Sequence, residues 1–101
     1  MRAMSITTLG VLHAIADGVA YGFDILDATG LESGTVYPIL GRLEAAGLVK
    51  STWEDSARAN ADGRPARRYY AMTPAGKAAL ERATTHYTSL LPSLARARTV
   101  R

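Results

Sequence analysis

The hydrophobic period of this sequence changes twice along the chain, and these changes limit the folds that the chain can adopt. Apolar residues recur at spacings of three and four before residue 48, which predicts helices, the first of them after Ser5 as N-cap. Residues 48–53 and 68–72 are instead rich in β-branched and aromatic side chains, which favour strands. Helical spacing returns after Thr73. We therefore expect a mainly α fold with a two-stranded β-hairpin.

A short turn joins the second and third predicted helices. The second helix spans residues 21–29, and Gly30 is placed to end it in the left-handed conformation. The third helix starts after Ser33 as N-cap and ends at Gly47. Pro38 falls in its second turn at the latest, where it removes about one backbone hydrogen bond. Two helices joined in this way predict a helix-turn-helix, whose second helix enters the major groove of DNA.

The N-terminal part of the third helix carries the side chains that such a helix presents to base edges. Hydroxyl groups can bond a base or a phosphate, and Gly34 allows the backbone to come close. Each side chain also has an interpretation without DNA: Ser33 caps the helix, Tyr37 is a half-buried core aromatic, and Arg42 pairs with an acidic group in solvent. The DNA-contacting set predicted on this helix comprises Ser33, Gly34, Thr35, Tyr37, Pro38 and Arg42.

The segment between the two predicted strands, residues 54–67, contains glycine and proline but no apolar run, and it predicts a long mobile hairpin tip. The end of this segment and the start of the second strand carry three arginines within five residues, namely Arg64, Arg67 and Arg68. Arginine on such a wing can lie along phosphates or enter the minor groove. The alternative is a disordered basic loop without a ligand. Because the hairpin follows a helix pair, we favour a DNA-binding wing with Arg64 and Arg67 as contacts.

The last predicted helix starts at Thr73-Pro74, where threonine is the N-cap, and extends to about residue 91. Pro92 should kink the helix or begin a new segment. Apolar side chains recur along it in a narrow seam that is typical of helix pairing. We expect a DNA-binding domain in residues 1–73 and a dimerisation helix in residues 74–101. The interface predicted for a homodimer consists of Leu80, Ala83, Tyr87, Leu90 and Leu94.

Positive charge is concentrated in the second half of the chain. Residues 1–57 carry three basic and seven acidic side chains, a balance of −4, whereas residues 58–101 carry nine basic and two acidic ones, a balance of +7. Such asymmetry suggests a polyanionic partner, with a solvated basic face as the alternative.

Several other classes of protein are disfavoured. The chain has no cysteine, which excludes disulfides and thiolate metal sites. No apolar run approaches the ~18 residues that span a bilayer, and no secretion signal is visible, so we expect a cytoplasmic protein. The histidines, His13 and His86, lie on separate predicted helices, and we expect no catalytic residues, metal or cofactor. The remaining alternative to a DNA regulator is a winged-helix interaction module that has lost DNA binding.

Four segments of the sequence, in their order and spacing, resemble the PadR family of transcription regulators. They are Tyr21-Gly22-Phe23-Asp24-Ile25, the stretch from Ser33 to Val49, Gly63-Arg64-Pro65-Ala66-Arg67-Arg68-Tyr69-Tyr70 and Thr73-Pro74-Ala75-Gly76. The resemblance implies a winged helix-turn-helix that binds a palindromic operator as a homodimer, usually as a repressor.

The resemblance also implies roles for particular residues. It places Ser33, Thr35 and Tyr37 on the recognition helix and Arg64 with its neighbours on the wing, and it brings Tyr21 towards the DNA backbone. With one short C-terminal helix, the chain is similar to the small subgroup of the family. Some members of that subgroup bind flat aromatic effectors between subunits, but the sequence names no effector for this chain.

Overall fold

The order of elements follows the predicted succession of helices and strands, with one addition. The computed structural model describes the backbone of residues 4–99 and the side chains of residues 4–91. Its elements are α1 (Ile6–Ala16), α2 (Gly22–Thr29), α3 (Ser33–Ala45), β1 (Val49–Trp53), α4 (Ser56–Ala61), β2 (Arg68–Met72) and α5 (Pro74–Thr99). The mainly α architecture with a two-stranded hairpin is confirmed, and α4 is the addition.

Local signals in the sequence set the ends of the first three helices. Ser5 precedes α1, and its hydroxyl oxygen accepts a hydrogen bond from the Thr8 backbone N–H (3.2 Å). Gly30 ends α2 with a φ of 70°, which glycine adopts without steric strain. Pro38 lies inside α3, and the helix continues past it to Ala45 because only one backbone donor is missing. The predicted helix-turn-helix is therefore present.

The core lies where α1, α2 and α3 meet the hairpin. Leu12 of α1 and Ile25 of α2 are fully buried, and so is the predicted apolar stripe of α3 that includes Val36 and Leu40. No polar or charged side chain is buried among the side chains that the structure describes. Burial of each large apolar side chain contributes about 1.5–3 kcal/mol, so packing of this core fixes α3 relative to its neighbours.

The hairpin is attached to the start of α2. β1 and β2 pair antiparallel over all five residues of each strand. On the free side of β2, Tyr21 forms an isolated bridge with Tyr69, and the Tyr70 N–H donates to the Ala20 carbonyl (2.9 Å). A lone hairpin is only marginally stable in water, and these bonds tie it to the helices.

The tip of the hairpin is folded. Asp55 caps α4, with its carboxylate accepting a hydrogen bond from the Ala57 N–H (3.0 Å). Ala59 is only 1% exposed, and its carbonyl accepts a hydrogen bond from the Arg64 N–H (3.1 Å). The sequence predicted a long mobile tip without a regular element, and the missing element is an error, because an aspartate cap and a turn rich in alanine are sufficient for a short helix packed at the end of the strands.

α5 begins as predicted but does not break where predicted. The Thr73 hydroxyl accepts a hydrogen bond from the Gly76 N–H (3.0 Å), which confirms the N-cap. The helix then runs through Pro92 without interruption to Thr99. The prediction of a new segment at Pro92 is wrong, because a proline removes only its own backbone donor and the flanking hydrogen bonds are enough to continue the helix.

The first half of α5 packs on the rest of its own chain. Ala79 and Ala83 are buried, and Leu80 packs against the core between α1 and the hairpin. Leu94 belongs to the part of α5 whose side chains lie outside the described residues. None of the described helices combines the length and the apolar character that crossing a membrane requires.

Candidate nucleic-acid interface

One face of α3 is free of contacts with the core. Val36, Ile39 and Leu40 are buried on the inner face and hold the helix in place. Every residue predicted to contact DNA from this helix is exposed on the structure; they are Ser33, Gly34, Thr35, Tyr37, Pro38 and Arg42. The fold therefore presents the N-terminal half of α3 to solvent with short polar side chains, an aromatic ring and a cation.

Ser33 does not cap α3, and that prediction is wrong. Glu32 is the N-cap residue, with an extended backbone (φ −82°, ψ 158°), and its carbonyl accepts hydrogen bonds from the Thr35 and Val36 N–H groups. The chain thus enters the helix one residue earlier than the sequence indicates. No side chain caps this terminus among the described residues, so the Ser33 hydroxyl and the first backbone donors of α3 remain available to a ligand.

Tyr37 is packed against its own chain and yet partly exposed. Its ring lies against the backbone of α2, because a Cβ atom added to Gly22 would come within 2.9 Å of its hydroxyl oxygen and 3.0 Å of Cε1. The side chain is nevertheless 43% exposed. Gly22 therefore allows the recognition helix to approach α2 closely while one edge of the tyrosine ring faces solvent.

A cluster of aromatic side chains connects α2 with the wing. The Tyr21 ring lies 6.0 Å from the Tyr69 ring and 6.0 Å from the Phe23 ring, measured between centroids. The Arg67 guanidinium carbon lies 4.7 Å from the centre of the Tyr21 ring, a cation–π distance. The structure thus brings together two of the predicted contacts, Tyr21 and Arg67, beside the N-terminus of α2.

Arg64 is held within the wing by Glu54. Its two terminal nitrogens donate to the two carboxylate oxygens, at 2.5 and 2.8 Å, and one of them also lies 3.3 Å from Asp62. Such a bidentate pair is among the stronger side-chain contacts. Both partners are largely shielded, with the Glu54 side chain 9% exposed. Of the two predicted wing contacts, Arg64 therefore has its charge paired within its own chain.

The pKa values of the wing reflect this pair. The hydrogen bonds from Arg64 lower the pKa of Glu54 to about 2, with a smaller effect from the Arg67 backbone N–H. The carboxylate in turn raises the pKa of Arg64 further above its usual range. Burial raises the pKa of Tyr70, which lies in the core under the wing. All three groups keep their ordinary charge at neutral pH.

Arg68 of the wing and Arg42 of α3 differ in their surroundings. Arg68 donates to Glu44 of α3 (2.9 Å) and to Ser51 of β1 (3.0 Å), so it braces the wing against the recognition helix. Arg42, by contrast, forms no ion pair with any of the described side chains. Arg67 likewise forms no ion pair with a described side chain, so the charges of both Arg42 and Arg67 are left for a polyanion.

A model of the family described as the transcriptional regulator PadR-like family matches residues 11–82, which is more than half of the chain. The chain belongs to the PadR-like family of transcriptional regulators. Its members are transcription regulators and not enzymes. The matched range includes the helix-turn-helix, the wing and the start of α5.

Individual relatives agree with this assignment. This PadR-like regulator is 42% identical over 77 residues to the transcriptional regulator Rv3488 of Mycobacterium tuberculosis, a match that spans 71% of this chain and 66% of that relative. It is similar in fold to a PadR family regulator of Clostridium difficile, with a TM-score of 0.79 at 22% identity over 91% of this chain and 97% of the other.

A second similar structure is that of BpsR of Bordetella bronchiseptica, described as regulated in its DNA binding by 6-hydroxynicotinic acid. Its TM-score is 0.72 at 25% identity over 89% of this chain and 64% of BpsR. The winged helix-turn-helix expected from the sequence is confirmed by these neighbours.

Sequence reasoning missed two parts of the interface of this PadR-like regulator. The first is Glu54, whose pairing with Arg64 depends on a loop geometry that no local pattern specifies. The second is α4, for which a signal exists: Asp55 followed by Ser56-Ala57-Arg58-Ala59-Asn60-Ala61 is a cap followed by helix-forming residues. Both shape the wing, so both affect which arginines can reach DNA.

Proposed function

We propose that this PadR-like regulator is a repressor that binds a palindromic operator as a homodimer. The observation that carries the proposal is the exposed N-terminal half of α3, which the core holds beside Arg67 of the wing, an arginine that forms no ion pair with a described side chain. This arrangement matches the docking geometry of a recognition helix with an adjacent wing. Residues 1–73 form the DNA-binding domain in this proposal, and residues 74–101 form the dimerisation helix.

The contacts divide between bases and backbone. Thr35 and Tyr37 face the base edges of the major groove, since they lie on the exposed side of the first turns of α3. Ser33, Gly34 and Pro38 line the same entry to the groove. Arg42 lies one turn further along and contacts a phosphate.

The wing completes the interface in this proposal. Arg67 contacts the adjacent DNA backbone or minor groove, and its guanidinium packs on the Tyr21 ring. Arg64, which the resemblance placed at this contact, supports the wing instead because Glu54 holds it.

The proposed dimer surface is an apolar groove between α1 and α5. The groove encloses about 960 Å³, and it is lined by Ile6, Tyr87, Leu90 and Leu91, among others. Leu90 is 45% exposed and Leu91 is 59% exposed. We propose that α5 of a second chain fills this groove, which would remove these side chains from water.

Only part of the predicted dimer seam is available for a partner in this proposal. Leu80 and Ala83 pack within their own chain, and the Tyr87 hydroxyl donates to the Met4 carbonyl (2.5 Å). We therefore propose Leu90 and, further along the helix, Leu94 as the seam residues that contact the partner, with Tyr87 and Leu91 beside Leu90 in the lining of the groove.

Dimer symmetry would set the spacing of the DNA site. A two-fold axis through the paired α5 helices presents two recognition helices about 34 Å apart, one turn of DNA. A small-molecule effector, if one acts on this chain, must bind better to an arrangement that does not fit this spacing. The similar structure of BpsR, whose DNA binding is regulated by 6-hydroxynicotinic acid, supports the proposal that a small molecule can control DNA binding in this fold.

The proposal is tested by the salt dependence of binding to the region upstream of the regulator's own gene. Fluorescence anisotropy of a labelled duplex, repeated between 50 and 200 mM salt, measures the affinity at each step. We expect a steep loss of affinity, because neutralisation of phosphates releases counterions and makes the slope of log K proportional to the number of contacts. Absence of binding even at the lowest salt would contradict DNA binding and favour the interaction module.

A further inference from the structure

Glu54 is the most constrained acidic side chain on the candidate DNA-binding surface. Its carboxylate accepts two hydrogen bonds from Arg64, at 2.5 and 2.8 Å, and a third from the Arg67 backbone N–H at 3.3 Å. A carboxylate beside a polyanion opposes binding through its charge. Its position there, with 9% of the side chain exposed, calls for a function that outweighs this repulsion.

The contacts of Glu54 converge on Arg67. Besides the carboxylate contact, the Glu54 backbone N–H donates to the Arg67 carbonyl at 2.7 Å. Glu54 therefore holds the backbone of Arg67 on both its donor and its acceptor side. The Arg67 side chain continues from this fixed backbone onto the face of Tyr21, with the guanidinium carbon 4.7 Å from the ring centre.

Tyr21 is itself fixed, so the chain of contacts ends on a rigid support. It is the N-cap residue of α2, and it bridges to Tyr69 of β2. The Arg67 guanidinium therefore starts from an anchored backbone and rests on an anchored ring. Arg67 forms no ion pair with a described carboxylate, which leaves its donors free for a phosphate.

We propose that Glu54 is a positioning residue for DNA binding: with Arg64 as its partner, it fixes Arg67 against Tyr21 so that the Arg67 guanidinium is preorganised for the DNA backbone. The inference rests on the proposed function, because it assigns a role within that interface. Preorganisation increases affinity because the ordering of the wing has already occurred in the free protein.

A positioning role and simple charge repulsion predict opposite changes in DNA affinity when the Glu54 side chain is removed. If the carboxylate only repels DNA, the Glu54→Ala variant binds the same duplex more tightly. If Glu54 positions Arg67, the variant binds more weakly, by up to about tenfold near 0.1 M salt, which is the loss when one phosphate contact is no longer made. Arg67→Ala removes the cation itself and should lower the slope of log K against log salt by about one unit, and Glu54→Ala should lower it by no more than that.

Asp62→Asn is the matched control. It removes one carboxylate from the same loop, but Asp62 is mostly exposed and contacts only Arg64, at 3.3 Å. We expect unchanged or slightly tighter binding for this variant. Glu54→Gln is the second test variant, since it keeps the shape and an acceptor for the Arg67 N–H while it loses the charge. It should weaken binding less than Glu54→Ala.

A double-mutant cycle shows whether Glu54 acts through Arg67. If it does, Glu54→Ala combined with Arg67→Ala binds DNA no more weakly than Arg67→Ala alone. Trypsin cleavage after Arg67 in the absence of DNA provides a second readout, and it should accelerate in the Glu54 variants relative to Asp62→Asn. Urea denaturation of each variant separates this local release from loss of the whole fold.

Each outcome decides one of the two claims. If the wild-type protein binds no duplex at low salt, the proposed function fails and the positioning role falls with it. If the wild-type protein binds and Glu54→Ala binds as tightly or more tightly, the positioning role alone is overturned. Additive losses in the double variant would also overturn it. A weaker Glu54→Ala with no further loss in the double variant supports it.

Discussion

At the scale of single residues, Gly76 shows how a backbone contact explains a motif. A Cβ atom at this position would lie 1.9 Å from the carbonyl oxygen of Leu48, which is backbone and cannot rotate away. The approach is this close because Thr73 holds the two segments together. Its hydroxyl donates to the Gly47 carbonyl (2.6 Å), and its backbone N–H donates to the Leu48 carbonyl (3.1 Å). The Thr73-Pro74-Ala75-Gly76 segment therefore docks the start of α5 on the turn after α3.

Gly76→Ala should destabilise the protein by roughly 1–3 kcal/mol or more, because the new methyl group forces the start of α5 away from that turn. Urea denaturation measures the change. Gly41→Ala is the control, because a Cβ there meets nothing within 4 Å in the middle of α3. It should stabilise the protein by about 0.5–1 kcal/mol, since alanine is the better helix former. Equal effects of the two substitutions would contradict the account.

The lowered pKa of Glu54 predicts that its ion pair with Arg64 is lost only at low pH. Because the folded pKa is lowered to about 2 from an ordinary 4.5, the pair stabilises the folded wing above about pH 4.5 and is lost as the pH falls towards 2. Carbon-detected NMR of the Glu54 carboxyl group should give a midpoint near 2 in wild type and a midpoint near the ordinary value in Arg64→Ala. An ordinary midpoint in wild type would show that the pair does not persist in solution.

At the scale of elements, the sequence predicted what depends on local rules. Hydrophobic spacing and the Gly30 and Thr73 signals located the helices, and β-branched and aromatic residues located both strands. The fold of the tip was missed because its evidence is short, and the continuity through Pro92 was missed because a proline gives only a local argument for a break. The Glu54–Arg64 pair joins residues ten apart, and hydrophobic periodicity carries no information about such a contact.

Substitutions of Tyr37 test whether α3 reads the base sequence of the operator. Tyr37→Ala should weaken specific binding by about 1–3 kcal/mol, the range expected for one lost base contact, and leave binding to unrelated DNA unchanged. Tyr37→Phe keeps the ring against Gly22 and removes only the hydroxyl, so it separates packing from hydrogen bonding. Anisotropy with operator and scrambled duplexes provides the comparison. Wild-type affinity of Tyr37→Ala for the operator would exclude Tyr37 as a specific contact.

At the scale of the whole molecule, the proposed dimer depends on the groove between α1 and α5. Leu90→Glu should produce monomers and weaken operator binding, because a charge would have to be buried in an apolar interface. Thr85→Glu is the matched control, since Thr85 is exposed on α5 and does not line the groove. Sedimentation equilibrium measures the state of assembly. A dimeric Leu90→Glu variant would place the interface elsewhere.

The central claim is that this PadR-like regulator binds DNA as a symmetric dimer, and selection of fragments from a genomic pool by the purified protein tests it most directly. Sequencing of the retained DNA reports the half-site and the spacing together. The account predicts enrichment of a few fragments that contain an inverted repeat, with half-site centres about 10 base pairs or a multiple of that distance apart. Recovery of the pool without enrichment at low salt, or enrichment of single half-sites only, would contradict it.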